Sequence, residues 1–308
     1  MLNMQSYLGW KIDFASPPGA AAFTGPDSVS WRVFKNPIAL SVGGVAAVLL
    51  EFADARIRSG VWDHSTYKAD PLGRSQRTGM AAMVGVYGPQ EAARRVIQGV
   101  TNMHARVQGQ TPGGEAYRAL DIDLLDWVSA TAGWGFVTAY DRFVEKLSDD
   151  EKRRFYEEGQ PVAHLYGAQH PLSSEADFTA MMEALLPRFE SHPIVTEFLD
   201  IFQSGPGTLG LPRSIRSAMA RGAVSILPPV VRQRLQLGAA YDLSPFSARS
   251  LRVLGAAAER IAIPSAPPAQ ACRRLGLPAD FLYRNRRDQA RILEHWRPSE
   301  HASALAAE

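Results

Sequence analysis

The sequence has little cysteine, little net charge and no long apolar run. Cys272 is the single cysteine among 308 residues, so the chain can form neither an internal disulfide framework nor a thiolate metal cluster. The 33 Lys and Arg residues nearly balance the 31 Asp and Glu residues, which leaves a formal net charge of +2. That balance does not predict binding to nucleic acid or to an anionic membrane surface. The longest apolar run, residues 38–50, is too short to cross a bilayer, so we expect no transmembrane segment.

Other absences bear on location and chemistry. A lone cysteine favours a reducing compartment, and the first twenty residues lack the basic start and apolar run of a secretory signal peptide. We therefore expect a cytoplasmic protein. The sequence contains no Glu-x-x-His, His-Glu-x-x-His or Gly-x-Ser-x-Gly motif, which argues against a dinuclear metal bundle, a zinc hydrolase and an α/β-hydrolase.

What the sequence does contain is helical periodicity, which predicts an all-α fold. Apolar residues recur at spacings of three and four, and no region shows strands in succession. The main expectations are helices over 38–59, 75–87 after the turn signature at 70–73, 89–109 and 123–146, and a Pro-rich connector over 263–270. We divide the chain into an N-terminal arm (1–36), a helical core (37–205) and a C-terminal helical extension packed on that core (206–308).

His104 is the sharpest candidate for a functional residue. It lies inside the apolar stripe of the helix expected over 89–109, where Val96, Val100 and Val107 share its face. Burial favours a neutral imidazole, and a neutral imidazole with a free ring nitrogen can bind iron, as in haem proteins. The same pattern also suits a core histidine bonded to a backbone carbonyl, so the stripe alone leaves both interpretations open.

A second polar group lies where a loop meets a helix. Arg74, Arg77 and Thr78 follow the turn signature, and the two arginines share a face if they lie on one helical turn. Such a face could hold propionates, an oxygen species or an anionic substrate. It could equally be a solvated first turn with ion pairs to acids such as Asp70. His64, before the turn, could add a polar contact or only take part in capping a helix.

Four segments of the chain, in this order, resemble one known protein family. They are "GPDSVSWRVFKNPIAL" (25–40), "GVWDHSTYKADPLGRSQRT" (60–78), "VTNMHARVQG" (100–109) and "YRALDIDLLDWV" (117–128). They are similar to the family that contains latex clearing protein, the rubber oxygenase, and the MpaB-type oxygenases. The resemblance covers about residues 25–205. It implies an all-α, globin-reminiscent multi-helix bundle that encloses a pocket for haem b.

The resemblance also implies roles for individual residues. The family's axial ligand is a His on an "MHxxVxG"-like helix, which corresponds to His104. Its distal residues lie on a "GRxxRT"-like segment: Arg77 and Thr78 would orient oxygen or peroxide, and Arg74 would contact a propionate or the substrate. His64 would be a further cofactor contact. Rubber oxygenase has a Lys at the Arg77 position that can bind iron, whereas arginine stays protonated, so we expect an open sixth position here.

Two positions depart from the family's pattern. Many relatives carry His-Pro in the first long helix, where this chain has Asp54-Ala55. Many also carry a His directly after the "WV" pair, where this chain has Ser129. Both positions fall near the expected pocket, so the resemblance does not carry over a particular substrate or reaction.

Taken together, these patterns lead us to expect a haem b-dependent oxygenase or related oxidoreductase. It would use O2 or peroxide on a hydrophobic small molecule, held by the apolar helices over 38–50 and 123–140. Two alternatives stay open. One is a haem- or ligand-binding protein without turnover, and the other is a cofactor-free relative in which His104 is a core residue or a proton carrier.

Overall fold

The computed structural model describes residues 6–7, 10–204 and 211–297, and within them the fold is all-α, as predicted. Parts of the predicted arm (1–5, 8–9) and of the predicted extension (206–210, 298–308) lie outside the described residues. The helices are α1 Val29–Phe34, α2 Pro37–Glu51, α3 Ala55–His64, α4 Pro71–Tyr87, α5 Gln90–His104, α6 Ile122–Phe143, α7 Asp149–Leu165, α8 Glu175–Leu185, α9 Pro193–Ser204, α10 Arg213–Ile226, α11 Pro229–Arg234, α12 Pro245–Ala258, α13 Pro267–Arg274 and α14 Arg286–His295.

Two small antiparallel hairpins accompany the helices. The strands are β1 Ser6–Tyr7, β2 Trp10–Lys11, β3 Gln108–Gln110 and β4 Ala116–Arg118. In the second hairpin Gly109 pairs with Tyr117, so the chain reverses directly after α5. None of the helices within the described ranges is both long enough and apolar enough to span a membrane.

The centre of the molecule is the pair formed by α2 and α6. The Asn36 side chain caps α2 by accepting from the amides of Ile38 (3.1 Å) and Ala39 (3.2 Å), and Pro37 occupies the first turn, where no amide donor is needed. At the crossing the two backbones touch: a Cβ on Gly43 would lie 2.6 Å from the Gly135 carbonyl oxygen. Glycine at both positions therefore sets how closely the two helices approach.

This contact leads to a stability prediction. We expect Gly43→Ala to lower the free energy of unfolding by about 1–3 kcal/mol, because the new methyl group meets backbone that cannot rotate away. Gly44→Ala is the matched control, since its Cβ would lie an ordinary 3.8 Å from the Phe136 ring. Urea unfolding of both variants measures the difference, and equal effects would contradict the backbone contact.

The expected single helix over 38–59 was wrong, because the chain forms two helices there. The break lies at Asp54, whose buried carboxylate accepts from the amide of Arg56 (2.9 Å) and so caps a new helix, α3. The same carboxylate binds the Arg56 guanidinium at 2.8 Å, and that guanidinium also reaches Asp123 at 2.7 Å. Arg56 thus ties the start of α3 to the start of α6.

Residues 70–73 form the first turn of α4 and not a separate turn. The Asp70 side chain accepts from the Gly73 amide at 2.8 Å, and Pro71 is the first helical residue. Asp-Pro suits both a turn and a helix N-terminus, so the sequence signal was real and its assignment was wrong. The next helix, α5, ends at His104 and not at Gly109, because the chain enters the β3–β4 hairpin.

The N-terminal stretch before α1 is held by a buried arginine from α13. Arg274, which is 1% exposed, donates to the carbonyl oxygens of Phe14 (2.6 Å), Ala20 (2.8 Å) and Tyr87 (2.8 Å). Part of the expected connector over 263–270 is in fact the start of α13, with Pro267 in its first turn. The same side chain therefore joins three separate parts of the chain.

Candidate functional site

The α4–α5 hairpin brings Arg74 and His104 to the same end of the molecule. The two helices pack against each other and are joined by the short turn at Gly88-Pro89. Arg74 lies about 21 Å before that turn and His104 about as far after it, given the helical rise. Arg74 and His104, thirty positions apart in sequence, therefore lie at the same height along the helix pair.

His104 is half-buried at the carboxyl end of α5, whose inner face is formed by Ala93, Val96, Ile97 and Val100. The predicted stripe is thus confirmed, and the imidazole lies at its end. Among the described residues, neither ring nitrogen has a hydrogen-bond partner. Burial, followed by the charge of Arg74, lowers the pKa of His104, although the helix end alone would raise it. His104 is therefore a neutral imidazole at physiological pH.

Glu51, at the end of α2, is the third member of this group and was missed by sequence reasoning. Its carboxylate accepts a hydrogen bond from the Thr131 hydroxyl of α6 at 3.2 Å. Burial raises the pKa of Glu51 to about 7, while the bond from Thr131 and the charge of Arg74 oppose the rise. The available signal was the place of Glu51 in the sequence. Its carboxylate directly follows the apolar run 38–50, which forms a helix buried on most sides.

Both central helices keep one partly accessible face. The half-buried residues of α2 are Pro37, Leu40, Ser41, Gly44, Val48 and Glu51, and those on one face of α6 are Leu125, Val128, Ser129, Ala132 and Phe136. Each set repeats at helical spacing, so each forms a stripe along its helix. The stripes meet where Gly44 approaches the Phe136 ring. We call them the α2–α6 stripes; they are mainly apolar, and Glu51 ends the one on α2.

Arg77 and Thr78 make local contacts on α4. The Arg77 guanidinium donates to the Thr66 hydroxyl (2.6 Å) and lies 3.4 Å from the Asp70 carboxylate, in the solvated arrangement that the sequence left open. The exposed Thr78 hydroxyl donates to the Arg74 carbonyl at 3.1 Å and accepts from the Arg74 guanidinium. Of the predicted distal residues, the structure therefore brings Arg74 close enough to His104 to alter its pKa.

His64 lies elsewhere on the exposed end of α3. Its Nε2 is 3.2 Å from the Tyr117 hydroxyl of β4, and the two rings meet edge to face. The contact joins α3 to the β3–β4 hairpin, which follows His104 in the chain. A direct role of His64 toward a cofactor stays a prediction.

The two departures from the expected pattern have different surroundings. Asp54 is 2% exposed and fully engaged as the cap of α3 and the partner of Arg56. Ser129 belongs to the half-buried stripe on α6. The first substitution is thus absorbed into a structural ion pair, whereas the second changes a partly accessible face.

A family model matches most of the chain. Residues 31–260 match the model for the catalytic domain of the ER-bound oxygenase mpaB/B' and rubber oxygenase. The chain belongs to this oxygenase family. The matched region includes Glu51, Arg74 and His104 and extends past residue 205, through α10 and α12. No curated protein and no solved structure matches the chain significantly.

Membership in the oxygenase family raises the question of whether the site suits a haem. A haem needs an axial ligand from the protein, and a neutral, half-buried imidazole with unpaired ring nitrogens is a suitable donor. A guanidinium beside it suits a propionate carboxylate. The described residues contain no group of three or more His, Cys, Asp or Glu side chains arranged to hold a metal ion. The donor set at His104 fits a porphyrin iron, which brings its own ring nitrogens.

Glu51 also leads to a pH prediction for the apoprotein. Since its pKa rises from 4.5 to about 7 on folding, the folded state binds more protons than the unfolded state between these pH values, and stability falls as pH rises through this window. We expect Glu51→Gln to equal the wild type near pH 4.5 and to be more stable by about 2–3 kcal/mol at pH 8. Urea unfolding at both pH values tests this, and a difference independent of pH would contradict it.

Proposed function

We propose that this oxygenase-family chain is a haem b-dependent oxygenase that acts on a hydrophobic small molecule with O2 or peroxide. The observation that carries the proposal is His104, a neutral imidazole without a hydrogen-bond partner in the described residues, in a chain whose family model is that of an oxygenase catalytic domain. A structural core histidine would use a ring nitrogen to satisfy a backbone group. His104 is instead left available for a ligand.

In this proposal His104 would hold the iron and Arg74 would hold a carboxylate of the haem. Thr78 fixes the Arg74 side chain through their mutual hydrogen bonds, so the cation keeps its position beside His104. Bound haem supplies the redox chemistry with oxygen that no side chain provides. The residues around it bind, orient and move protons.

Arg77 and Thr78 retain their expected role of orienting oxygen or peroxide as part of this proposal. For Arg77 the role requires releasing its hydrogen bond to the Thr66 hydroxyl (2.6 Å) and its ion pair with Asp70, which is long at 3.4 Å and partly exposed. Both contacts lie at the protein surface, and each contributes about 1 kcal/mol or less. Their release would leave the core intact.

Glu51 is the group that holds a proton in this site. With a pKa of about 7 its Oε atoms gain or lose a proton near neutral pH, and the Thr131 hydroxyl keeps the carboxyl group oriented. Its position at the end of an apolar stripe places this proton where a hydrophobic substrate would arrive. The α2–α6 stripes supply the apolar contacts for such a substrate, and the small Ser129 leaves room beside them.

The test is the absorption spectrum of protein expressed with a haem precursor, taken oxidised and then dithionite-reduced with and without CO. We expect a Soret band of about stoichiometric intensity that shifts with CO, and oxygen consumption with a reductant and apolar alkenes. If the protein binds haem but consumes no oxygen, its function would be haem binding without turnover. A colourless protein that also fails to take up hemin would refute the haem assignment.

A further inference from the structure

The outer face of α12 combines exposed apolar and basic side chains in a regular order. Phe246 is 81% exposed and Val253 is 61% exposed, and these are among the most exposed large apolar residues of the described chain. They lie seven residues apart and so project from the same face of the helix. Arg249 lies between them, three residues after Phe246, and Arg260 lies two residues past the end of the helix at Ala258. We call this set, with Arg252, the α12 face.

The opposite side of α12 anchors the helix to the core. Leu251 is fully buried, and Gly255 lies so close to the Phe143 carbonyl oxygen at the end of α6 that a Cβ would clash with it. The helix cannot rotate to bury Phe246 and Val253 without breaking this contact. The exposure of the α12 face is thus fixed by the packing beneath it.

The α12 face also has charge of one sign. Arg249, Arg252 and Arg260 are exposed, and none makes an ion pair within residues 10–204 and 211–297. The acid in the same stretch, Glu259, points inward, where its carboxylate binds Lys35 at 3.0 Å and accepts from Tyr140 at 3.0 Å. The balanced net charge of the chain therefore conceals a local excess of positive charge on this face.

Exposed apolar residues also follow the end of the helix. Ile261 is 59% exposed and Ile263 is 45% exposed, directly after Arg260. Exposed apolar and cationic side chains therefore occur together from residue 246 to residue 263, over about 20 Å in the helical part. A surface of this composition suits the headgroup region of a lipid bilayer, where the apolar groups enter the acyl boundary and the arginines meet phosphates.

We propose that the α12 face docks the protein on anionic lipid surfaces. A second copy of the chain is a poorer occupant, because a two-fold contact through this face would set the three arginines of each copy against those of the other. The docking is peripheral, since none of the described helices spans a membrane. It does not depend on whether haem is bound at His104.

The experiment is co-sedimentation of the full chain with vesicles of phosphatidylcholine alone or mixed with phosphatidylglycerol. We expect binding to the mixed vesicles and its loss with added salt, which screens the arginines. The R249Q/R252Q/R260Q variant should bind at least about tenfold more weakly. The matched control removes three arginines from α7 and α14, as R153Q/R154Q/R287Q, and should bind as the wild type does.

A second pair of variants separates insertion from charge alone. F246S should weaken binding to mixed vesicles by about tenfold. I122S, at a 44% exposed isoleucine of α6, should leave it unchanged. Equal losses for both arginine triples, or no binding to either vesicle, would overturn the proposal. A third outcome would also overturn it: protein that binds no vesicles but forms a dimer in sedimentation velocity, with the dimer lost in F246S. The α12 face would then be a self-association surface.

Discussion

We expect His104→Ala protein, expressed with a haem precursor, to lack the Soret band expected of the wild type. Removing the imidazole removes the side chain proposed to bind the iron, and we expect haem affinity to fall by at least about 100-fold, because changes in the outer partners of a metal ligand alone cost 10–100-fold. Added imidazole should restore part of the band by entering the space that the side chain leaves. Titration of hemin into the purified variant, followed in the Soret region, gives the measurement.

His192→Ala is the matched control for this experiment. His192 is also half-buried, and burial likewise lowers its pKa, but it lies before α9, where its Nδ1 accepts from the Ile194 amide at 3.2 Å. We expect this variant to keep the wild-type spectrum. If His104→Ala retained haem with an unchanged band, the iron would have another ligand and the assignment of His104 would be wrong.

We expect Arg274→Met to lower the free energy of unfolding more than Gly43→Ala does. The side chain is the common donor to three carbonyl groups, from Phe14, Ala20 and Tyr87, and methionine of similar length donates to none. Leaving buried acceptors without a partner costs about 1–3 kcal/mol each, so we expect a loss of about 3 kcal/mol or more. Urea unfolding followed by circular dichroism measures it.

The neighbouring Arg273→Met serves as the control for Arg274→Met. Arg273 is exposed and makes one bond, to the Pro264 carbonyl at 3.0 Å, so its loss should change the free energy of unfolding by less than about 1 kcal/mol. Similar losses for the two variants would show that Arg274 contributes as part of a helix surface and not as a link between chain segments.

Local signals in the sequence were sufficient for the all-α fold and for the buried face of α5, whereas the role of His104 stays a prediction. The spacing of Ser148 and Glu151 in the sequence is that of a capping box, and both hydrogen bonds of the box are present at the start of α7. The apolar stripe of α5 identified its buried face and the position of His104. These patterns succeed because capping and one-sided burial are decided within one or two helical turns.

What the sequence could not show depends on contacts between distant segments. The meeting of Glu51 with Thr131 requires knowing that α2 crosses α6, and the placement of Arg74 and His104 at the same end of the molecule requires knowing that α4 and α5 pack as a hairpin. The break at Asp54 was missed because an aspartate inside an apolar pattern is also compatible with a continuous helix. The α12 face was invisible because periodicity marks a helix but not which neighbours cover it.

The contact between Gly43 and Gly135 has a consequence for how new specificities arise in this scaffold. Because the spacing of the two central helices is set by backbone against backbone, it does not depend on the size of the side chains along the stripes. Exchanges at Ser129 or Ala132 can therefore remodel the surface of the stripes, and with it the proposed substrate contact, while the crossing stays fixed. The glycine pair thus keeps the helix crossing constant while the side chains along the stripes can vary.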